Sequence, residues 1–311
     1  EEEFGKALTR LTPHYAVHSF EMINRSTDTM LQTARECTDG ATYDYDGRCV
    51  WFSISPQQNY NRDMGPGATN RDDVYKTMSL GAMGELNDNW SLGGTLGRTD
   101  FTSNVWFKGD LLSETTGESW QAYALAKYTN AQYFADFALG GGTGKFDGTR
   151  DTTIAQVGFI PGETLAGEYL DEILHAGIGN SVSYTQDASQ FGASVRFGFT
   201  HQLGGVYVQP TLQFDARYLR ISGKESGSVA AFDFGGTANT YLSATPGLEI
   251  GTDIAISDKA SLRAYAMGSI EFSNKDWKIE GQFKAAEGLG APPLTLTEAV
   301  DSPLYRVGAG V

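Results

Sequence analysis

Residues 206–218 alternate strictly between two kinds of side chain. The even positions are apolar throughout, and the odd positions are tyrosine or polar, ending with Asp215 and Arg217. Successive side chains of a β-strand point to opposite faces, so this segment predicts a strand with one apolar and one polar face. It is also longer than the roughly 9 to 11 residues that a tilted strand needs to cross a bilayer.

The same alternation recurs along most of the chain, which makes it a property of the fold and not of one strand. It is clearest in residues 191–199, 241–254 and 262–272, and less regular in residues 50–57, 74–86, 90–101, 120–128, 133–144 and 304–311. We therefore predict about ten strands.

The connections between these segments are of two kinds that alternate along the chain. Tight turns are predicted at residues 87–89, 130–131, 204–205 and 257–259, and long polar loops at residues 59–73, 102–118, 146–188, 222–240 and 273–302. Short turns at one rim and long loops at the other are typical of outer-membrane barrels, with the turns on the periplasmic side. The predicted fold is all-β: a transmembrane antiparallel up-and-down β-barrel.

The first segment has a different period. Apolar residues of 4–36 recur at helical spacing, and Thr12-Pro13 predicts a helix start or a break inside the segment. The opposite face is polar, with His14, His18 and Glu21 among its residues. Such a helix must touch water or polar partners, so we divide the chain into a linker and plug helix at 1–36 and a barrel at 37–311.

Composition excludes several classes of protein. Lys+Arg 23 against Asp+Glu 38 gives a net charge of −15, so no nucleic-acid partner is expected. No apolar run approaches the roughly 18 residues of a spanning helix. The chain opens on Glu1-Glu2-Glu3, so any export signal is expected to lie outside it.

A leading helix followed by hairpins of this kind resembles the autotransporter β-domain, the translocator of type V secretion. The likeness is carried by Cys37 and by residues 49–51, 80–82, 90–97, 123–126 and 306–310. The resemblance implies twelve strands around one helix in the lumen, which links the barrel to an N-terminal passenger. Relative to that pattern the chain is expected to be incomplete at its C-terminus, and no recognisable passenger precedes Glu1.

The resemblance also implies a function. We expect a domain in the bacterial outer membrane that exports its own N-terminal passenger, anchors it to the cell surface, contacts lipid, is inserted with help from the insertion machinery, and is a monomer. The alternatives are a pore that conducts small solutes and a soluble secreted β-protein, whose apolar faces would form an internal core.

The alternation assigns polar residues to the lumen, where a mixed-charge interior would meet the polar face of the helix. The lumen-facing candidates are Arg196, Gln209, Gln213, Asp215, Arg217, Glu249, Arg263 and Glu271. Some members of the family cleave their own linker with lumenal carboxylates, for which Asp215, Glu249, Glu271 and Glu85 are candidates by position. We favour the simpler interpretation that they are structural partners of the arginines.

The cysteines, histidines and serines of the sequence do not predict a metal site or a catalytic site. Cys37 and Cys49 are the two cysteines of the chain, and in an exported protein a disulfide is favoured over a metal site or a redox switch. His14 and His18 lie four residues apart without an evident third ligand, so no metal is expected. No Gly-x-Ser-x-Gly elbow occurs, and we expect neither a cofactor nor an enzyme activity.

Overall fold

The computed structural model describes residues 12–36, 43–45, 48–62, 69–107, 109–130, 132–152, 181–227, 231–257, 260–274, 276–284, 293–298 and 302–310. These residues form a helix, α1 (His14–Glu36), and a series of strands. The strands are β1 (Tyr43–Tyr45), β2 (Arg48–Arg62), β3 (Asn70–Asn87), β4 (Trp90–Phe107), β5 (Asp110–Thr129), β6 (Tyr133–Asp151), β7 (Ser181–Phe199), β8 (His201–Leu203), β9 (Val206–Ser226), β10 (Phe232–Ser257), β11 (Ala260–Ser273), β12 (Trp277–Phe283), β13 (Leu294–Glu298) and β14 (Leu304–Gly310).

The strands pair in chain order into one antiparallel sheet that curls around α1. Its order is β1-β2-β3-β4-β5-β6-β7-β9-β10-β11-β14, while β8 pairs with β9 and β12 joins β10 to β13. Among the described residues β14 pairs with β11 and not with β1 or β2, so this part of the molecule is a half-barrel. The predicted all-β antiparallel fold with an N-terminal helix inside is confirmed.

The two faces of the sheet have opposite character. Large apolar side chains such as Phe52, Leu139 and Phe191 point outward and are exposed, whereas inward positions of the same strands hold buried polar residues such as Gln186 and Gln190. A protein in water would bury the first set and expose the second. The inverted pattern is that of a barrel whose outer face contacts lipid.

This outward apolar band is concentrated in the half of the long strands nearest the tight turns, as β4 shows. On β4 the outward residues change from Leu92 and Leu96 to Arg98 and Asp100 as the strand leaves the turn at 88–89. We call the end of the barrel with the turns at 88–89 and 204–205 the turn side, and the opposite end the loop side.

Our prediction of long loops on the loop side is wrong for much of their length. β4 and β5 continue to Phe107 and Asp110, and segments 59–73, 222–240 and 273–302 also contain strand residues. Beyond the bilayer both faces of a strand meet water or polar groups, so the ladder of backbone hydrogen bonds continues while the alternation in hydropathy disappears. Residues 153–180, the centre of the longest predicted loop, lie outside the described residues.

The helix begins at His14, directly after Thr12-Pro13, as the proline predicts. Residues 1–11 of the predicted helical segment lie outside the described residues. In the part of the chain that the structure describes, no helix combines the length and the apolar character needed to cross a membrane.

Glycines let α1 and the wall come close together. A Cβ atom on Gly97 of β4 would overlap the sulfur of Met30. On β6, Cβ atoms on Gly140 and Gly142 would overlap carbonyl oxygens of β5, so the glycine run allows the two strands to approach closely.

The assigned facing has a direct test at neighbouring residues of β9. Leu212 is outward and 40% exposed in the middle of the apolar band, while Gln213 points inward and donates a hydrogen bond of 2.7 Å to Asp215. Leu212→Arg is expected to lower the free energy of unfolding by about 2 to 4 kcal/mol, because it places a charge in hydrocarbon. Gln213→Arg is expected to cost far less. Urea unfolding from liposomes measures both, and equal losses would contradict the facing.

Candidate functional site: the helix in the lumen

The loop-side end of α1 is held by a buried ion pair of the wall. Glu225 of β9 accepts two hydrogen bonds from Arg150 of β6, at 2.9 and 2.6 Å, and a third from the Tyr15 hydroxyl at 2.8 Å. The backbone N–H of Phe232 donates a fourth at 2.7 Å. The ring of Tyr15 also stacks on Tyr184, with 3.5 Å between centroids. One carboxylate therefore joins the first turn of the helix to three strand ends.

Neutral polar side chains line one face of the helix further along. Ser19 donates to Gln186 of β7 at 2.6 Å, and Thr27 is hydrogen-bonded to Gln121 of β5 and Gln190 of β7 at 2.9 and 2.8 Å. All of these side chains are buried. Because these groups of the helix and the wall bond to one another, the lumen can be both polar and filled.

Another face of α1 carries charge. Glu21 pairs with Arg71 of β3 and accepts a hydrogen bond of 2.7 Å from Arg25. Arg71 pairs in turn with Asp73 at 2.7 Å, and Asp73 accepts from Ser103 at 2.5 Å. The helix thus shares an alternating row of charges with β3.

A buried arginine of the wall contacts the middle of the helix. The guanidinium of Arg217 on β9 donates to the backbone and side-chain oxygens of Asn24, at 3.1 and 2.6 Å, and reaches Asp28 at 2.5 Å. Asp28 also pairs with Arg306 of β14 at 3.1 Å, and Arg306 pairs with Glu271 of β11 at 2.5 Å. This chain of ion pairs links α1 to three strands.

Two apolar clusters complete the packing of α1. Near the loop side, Phe20 stacks on Trp277 of β12 at 5.4 Å between centroids. Near the turn side, Met30 and Leu31 belong to a cluster with Trp51 and Tyr123. The helix therefore runs from the loop side at His14 to the turn side at Glu36.

Of the residues that the sequence assigned to the lumen, Arg217 contacts the helix directly, through Asn24 and Asp28. Others are paired along the wall. Arg196 bonds Asp136 at 2.6 Å, and Glu249 accepts from the Tyr207 hydroxyl at 2.6 Å.

Asp215 joins its neighbours across β9 and β10. It lies 3.3 Å from Arg217 and accepts hydrogen bonds from Gln213 at 2.7 Å and Ser243 at 3.2 Å. Gln209 is buried, and Glu271 contacts Tyr241 in addition to Arg306. The side chain of Arg263 lies outside the described residues.

Several residues that fasten the helix were missed by sequence reasoning. They are Arg71, Gln121, Arg150, Gln186, Gln190, Glu225 and Arg306. Gln121 and Gln190 could have been assigned to the inward face if the alternation of the predicted strands had been followed through these positions. Arg150, Gln186 and Glu225 lie in stretches that we predicted as loops, where no facing was assigned.

The candidate carboxylates for self-cleavage are dispersed. Glu85 is exposed at the turn-side rim, whereas Asp215 and Glu271 are engaged with the arginines of the wall and Glu249 with Tyr207. Within the described ranges no three His, Cys, Asp or Glu side chains are grouped so that they could hold a metal ion.

Cys49 is disulfide-bonded. Cys37, the other member of the predicted pair, lies outside the described residues, so the pairing stays a prediction.

A β-sheet with an apolar outer face, wound around a polar-faced helix of its own chain, defines a class of outer-membrane barrel in which the lumen is occupied by the segment that precedes the first strand. The family model of the autotransporter β-domain matches residues 50–311. The chain belongs to that family, and it is an outer-membrane translocator domain of type V secretion located in the bacterial outer membrane.

Two solved autotransporter domains are similar to this chain. The translocator domain of the autotransporter NalP from Neisseria meningitidis has a TM-score of 0.55 and 16% identity, over 88% of this chain and 85% of that one. The β-domain of the Bordetella autotransporter BrkA has a TM-score of 0.46 and 20% identity, over 76% and 84%. The NalP domain shares the fold of this chain. A search of curated proteins found no match.

Proposed function

We propose that this barrel exports a passenger that precedes α1 and anchors it on the cell surface. The observation that carries the proposal is the direction of the helix. The Tyr15 end contacts Glu225 and Trp277 belongs to the same loop-side cluster, while Met30 at the other end packs near Trp51 and the start of β2. Since the turns of such barrels face the periplasm, the chain before His14 emerges on the outer side.

The contacts of α1 explain how export would end in anchoring. Hydrogen bonds and ion pairs hold the helix along its length, from Tyr15 to Asp28. A chain fixed inside the barrel ties whatever precedes it to the membrane, without further attachment. We also propose that the domain acts as a monomer and is inserted by the outer-membrane insertion machinery, in keeping with its family.

The filled lumen argues against the alternative of an open pore. Buried side chains of α1, including Phe20, Ile23 and Leu31, occupy the space that a solute would need. A large open current from the intact protein in planar bilayers would favour the pore.

Surface labelling tests the direction of the chain. An epitope tag placed before Glu1 is expected to be reached by antibody and by added protease on intact cells. The measurement is flow cytometry before and after protease treatment.

The matched control is the same tag inserted at Asp88, in the turn between β3 and β4. This tag is expected to stay hidden until the outer membrane is permeabilised. Detection of the Asp88 tag together with protection of the Glu1 tag would reverse the orientation and refute the proposal.

A further inference from the structure

The apolar band on the outer face does not have the same height on every strand. On β4 it comprises the outward positions of residues 90–96 and ends before Arg98. On β9 it comprises the outward positions of residues 208–218, counted from the position opposite the exposed His201 of β8. At about 3.4 Å per residue and a strand tilt of about 40°, the band is about 16 Å high on β4 and about 26 Å high on β9.

The strands between these two have a band of intermediate height. The outward apolar positions of residues 120–128 on β5 and 191–199 on β7 each correspond to about 21 Å. The band therefore becomes taller from β4 to β9.

The upper edge of the band follows a row of the sheet. Leu96, Phe191 and Tyr218 are the last apolar outward residues of β4, β7 and β9, and cross-strand pairing places them in one row. Such a row runs at right angles to the strands, so with tilted strands it climbs by about 3 Å per strand relative to the membrane plane. The lower edge stays near the tight turns. The band is therefore low on the β4 side for a geometric reason.

Charged residues mark the upper edge on the low side. Lys76, Asp100, Glu118 and Lys145 are outward residues of β3 to β6 and lie in one cross-strand row. Arg98 contacts Asp100 and Glu118 at 2.8 Å each, and the two acidic side chains are 45% and 48% exposed. Charges on the lipid face are costly, and short carboxylate side chains cannot reach far toward the interface. The hydrocarbon must therefore end below this row.

We propose that the β4 side of the barrel thins the outer membrane and prefers lipids with short acyl chains. A band shorter than the local hydrocarbon is accommodated by thinning of the bilayer. The height on β9 is close to the usual value of about 25 Å, whereas the band on β4 is about 10 Å shorter. The inference does not depend on the direction of export, because the height of the band is the same whichever end faces outward.

The depth of two matched positions in the bilayer tests the proposal. Leu96 and Phe214 are 50% and 44% exposed, and each lies six residues beyond the first outward residue of its band, Trp90 or Val208. Leu96→Cys and Phe214→Cys are labelled with a nitrobenzoxadiazole maleimide in dioleoylphosphatidylcholine liposomes. Quenching by 5-doxyl lipid relative to 12-doxyl lipid is expected to be at least twofold greater at position 96, which lies at the edge of the thinned hydrocarbon.

The wild-type chain is the control for background labelling, and Cys49 does not take the dye because it is disulfide-bonded. Heat-modifiable gel mobility establishes that each labelled variant is folded.

A variant with a taller band tests the preference for short chains. The combination of Arg98→Leu, Asp100→Leu and Glu118→Leu removes a mutually paired set of charges and extends the apolar band on β4 and β5. The measured quantity is the folded fraction in liposomes of phosphatidylcholine with 18:1 chains, divided by that with 14:1 chains. This ratio is expected to rise at least threefold over that of the wild-type chain.

A second triple variant is the matched control. Glu114→Leu, Thr116→Leu and Asp147→Leu change exposed outward residues of β5 and β6 on the loop side of the charged row. Because that row separates them from the band, the ratio of folded fractions is expected to stay at the wild-type value.

Two results would overturn the proposal. One is an equal quenching ratio at positions 96 and 214 in folded protein, since the hydrocarbon would then have the same thickness beside β4 and β9. The other is an Arg98, Asp100 and Glu118 triple variant that folds in 14:1 lipid with an unchanged ratio. If that variant folds in neither lipid, the depth measurement decides.

Discussion

Arg217→Met is expected to lower the free energy of unfolding by about 3 to 5 kcal/mol, the cost of removing one partner from a buried ion pair. Arg217 is 3% exposed, and it neutralises Asp28 at 2.5 Å and Asp215 at 3.3 Å while donating to Asn24. Methionine has a similar volume but leaves the carboxylates buried with less compensating charge. Urea unfolding in liposomes, followed by tryptophan fluorescence, measures the loss.

The same strand supplies a control. Arg220 is exposed on the outer face of β9, so Arg220→Met is expected to change stability by less than about 1 kcal/mol. Adding Asp28→Asn to Arg217→Met should restore part of the stability, because it neutralises one of the two carboxylates that have lost Arg217. Equal losses from the two arginine variants, or no recovery in the double variant, would show that Arg217 does not act through its buried partners.

The architecture could be predicted from the sequence because one physical rule governs it. Lipid on one face and water on the other force a period of two, and that period assigned Leu212 to the outer face and Arg217 to the side that meets the helix. The same rule ceases to operate beyond the bilayer. Arg150 and Glu225 lie on strands there, but both of their faces can be polar, and the sequence pattern is that of a loop.

Pairing inside the lumen could not be predicted either, for a different reason. Arg196 bonds Asp136 and Arg306 bonds Asp28, contacts between residues far apart in sequence. Facing restricts each side chain to the lumen, but which partner it meets depends on the register of two strands and on the rotation of α1. Neither the strand register nor the rotation of the helix can be read from the hydropathy pattern.

For the helix, too, the sequence predicted the secondary structure but not the contacts. Its apolar spacing predicted a helix, and Pro13 indicated where it begins. The pattern could not say that Ser19 and Thr27 would meet glutamines of the wall, because Ser and Thr on a helix are as common on a solvated face. The partners of a buried polar face depend on the three-dimensional arrangement of the strands and the helix. The sequence pattern does not contain that information.

Glu225→Ala is expected to be as costly as the loss of Arg217, at about 3 to 5 kcal/mol, because it removes the carboxylate that lies 2.6 Å from the buried guanidinium of Arg150. Glu225 is 0% and Arg150 2% exposed, and the variant also removes the acceptors for the Tyr15 hydroxyl and the Phe232 N–H. The loop-side end of α1 should therefore loosen together with the wall. Unfolding in urea gives the stability, and limited proteolysis from outside the cell gives the exposure of the first helical turn.

An exposed ion pair of the same barrel shows what burial adds. Arg98 and Glu118 are 2.8 Å apart but 38% and 48% exposed, so Glu118→Ala is expected to cost less than about 1 kcal/mol. A double replacement, Glu225→Leu with Arg150→Met, should recover much of the stability lost in Glu225→Ala, since apolar side chains then replace both members of the buried pair. Protease sensitivity of the first turn should persist in that double variant, because Tyr15 still lacks its acceptor. Recovery of stability and protection together would mean that the ion pair holds the wall and that the stacking of Tyr15 on Tyr184 alone holds the helix.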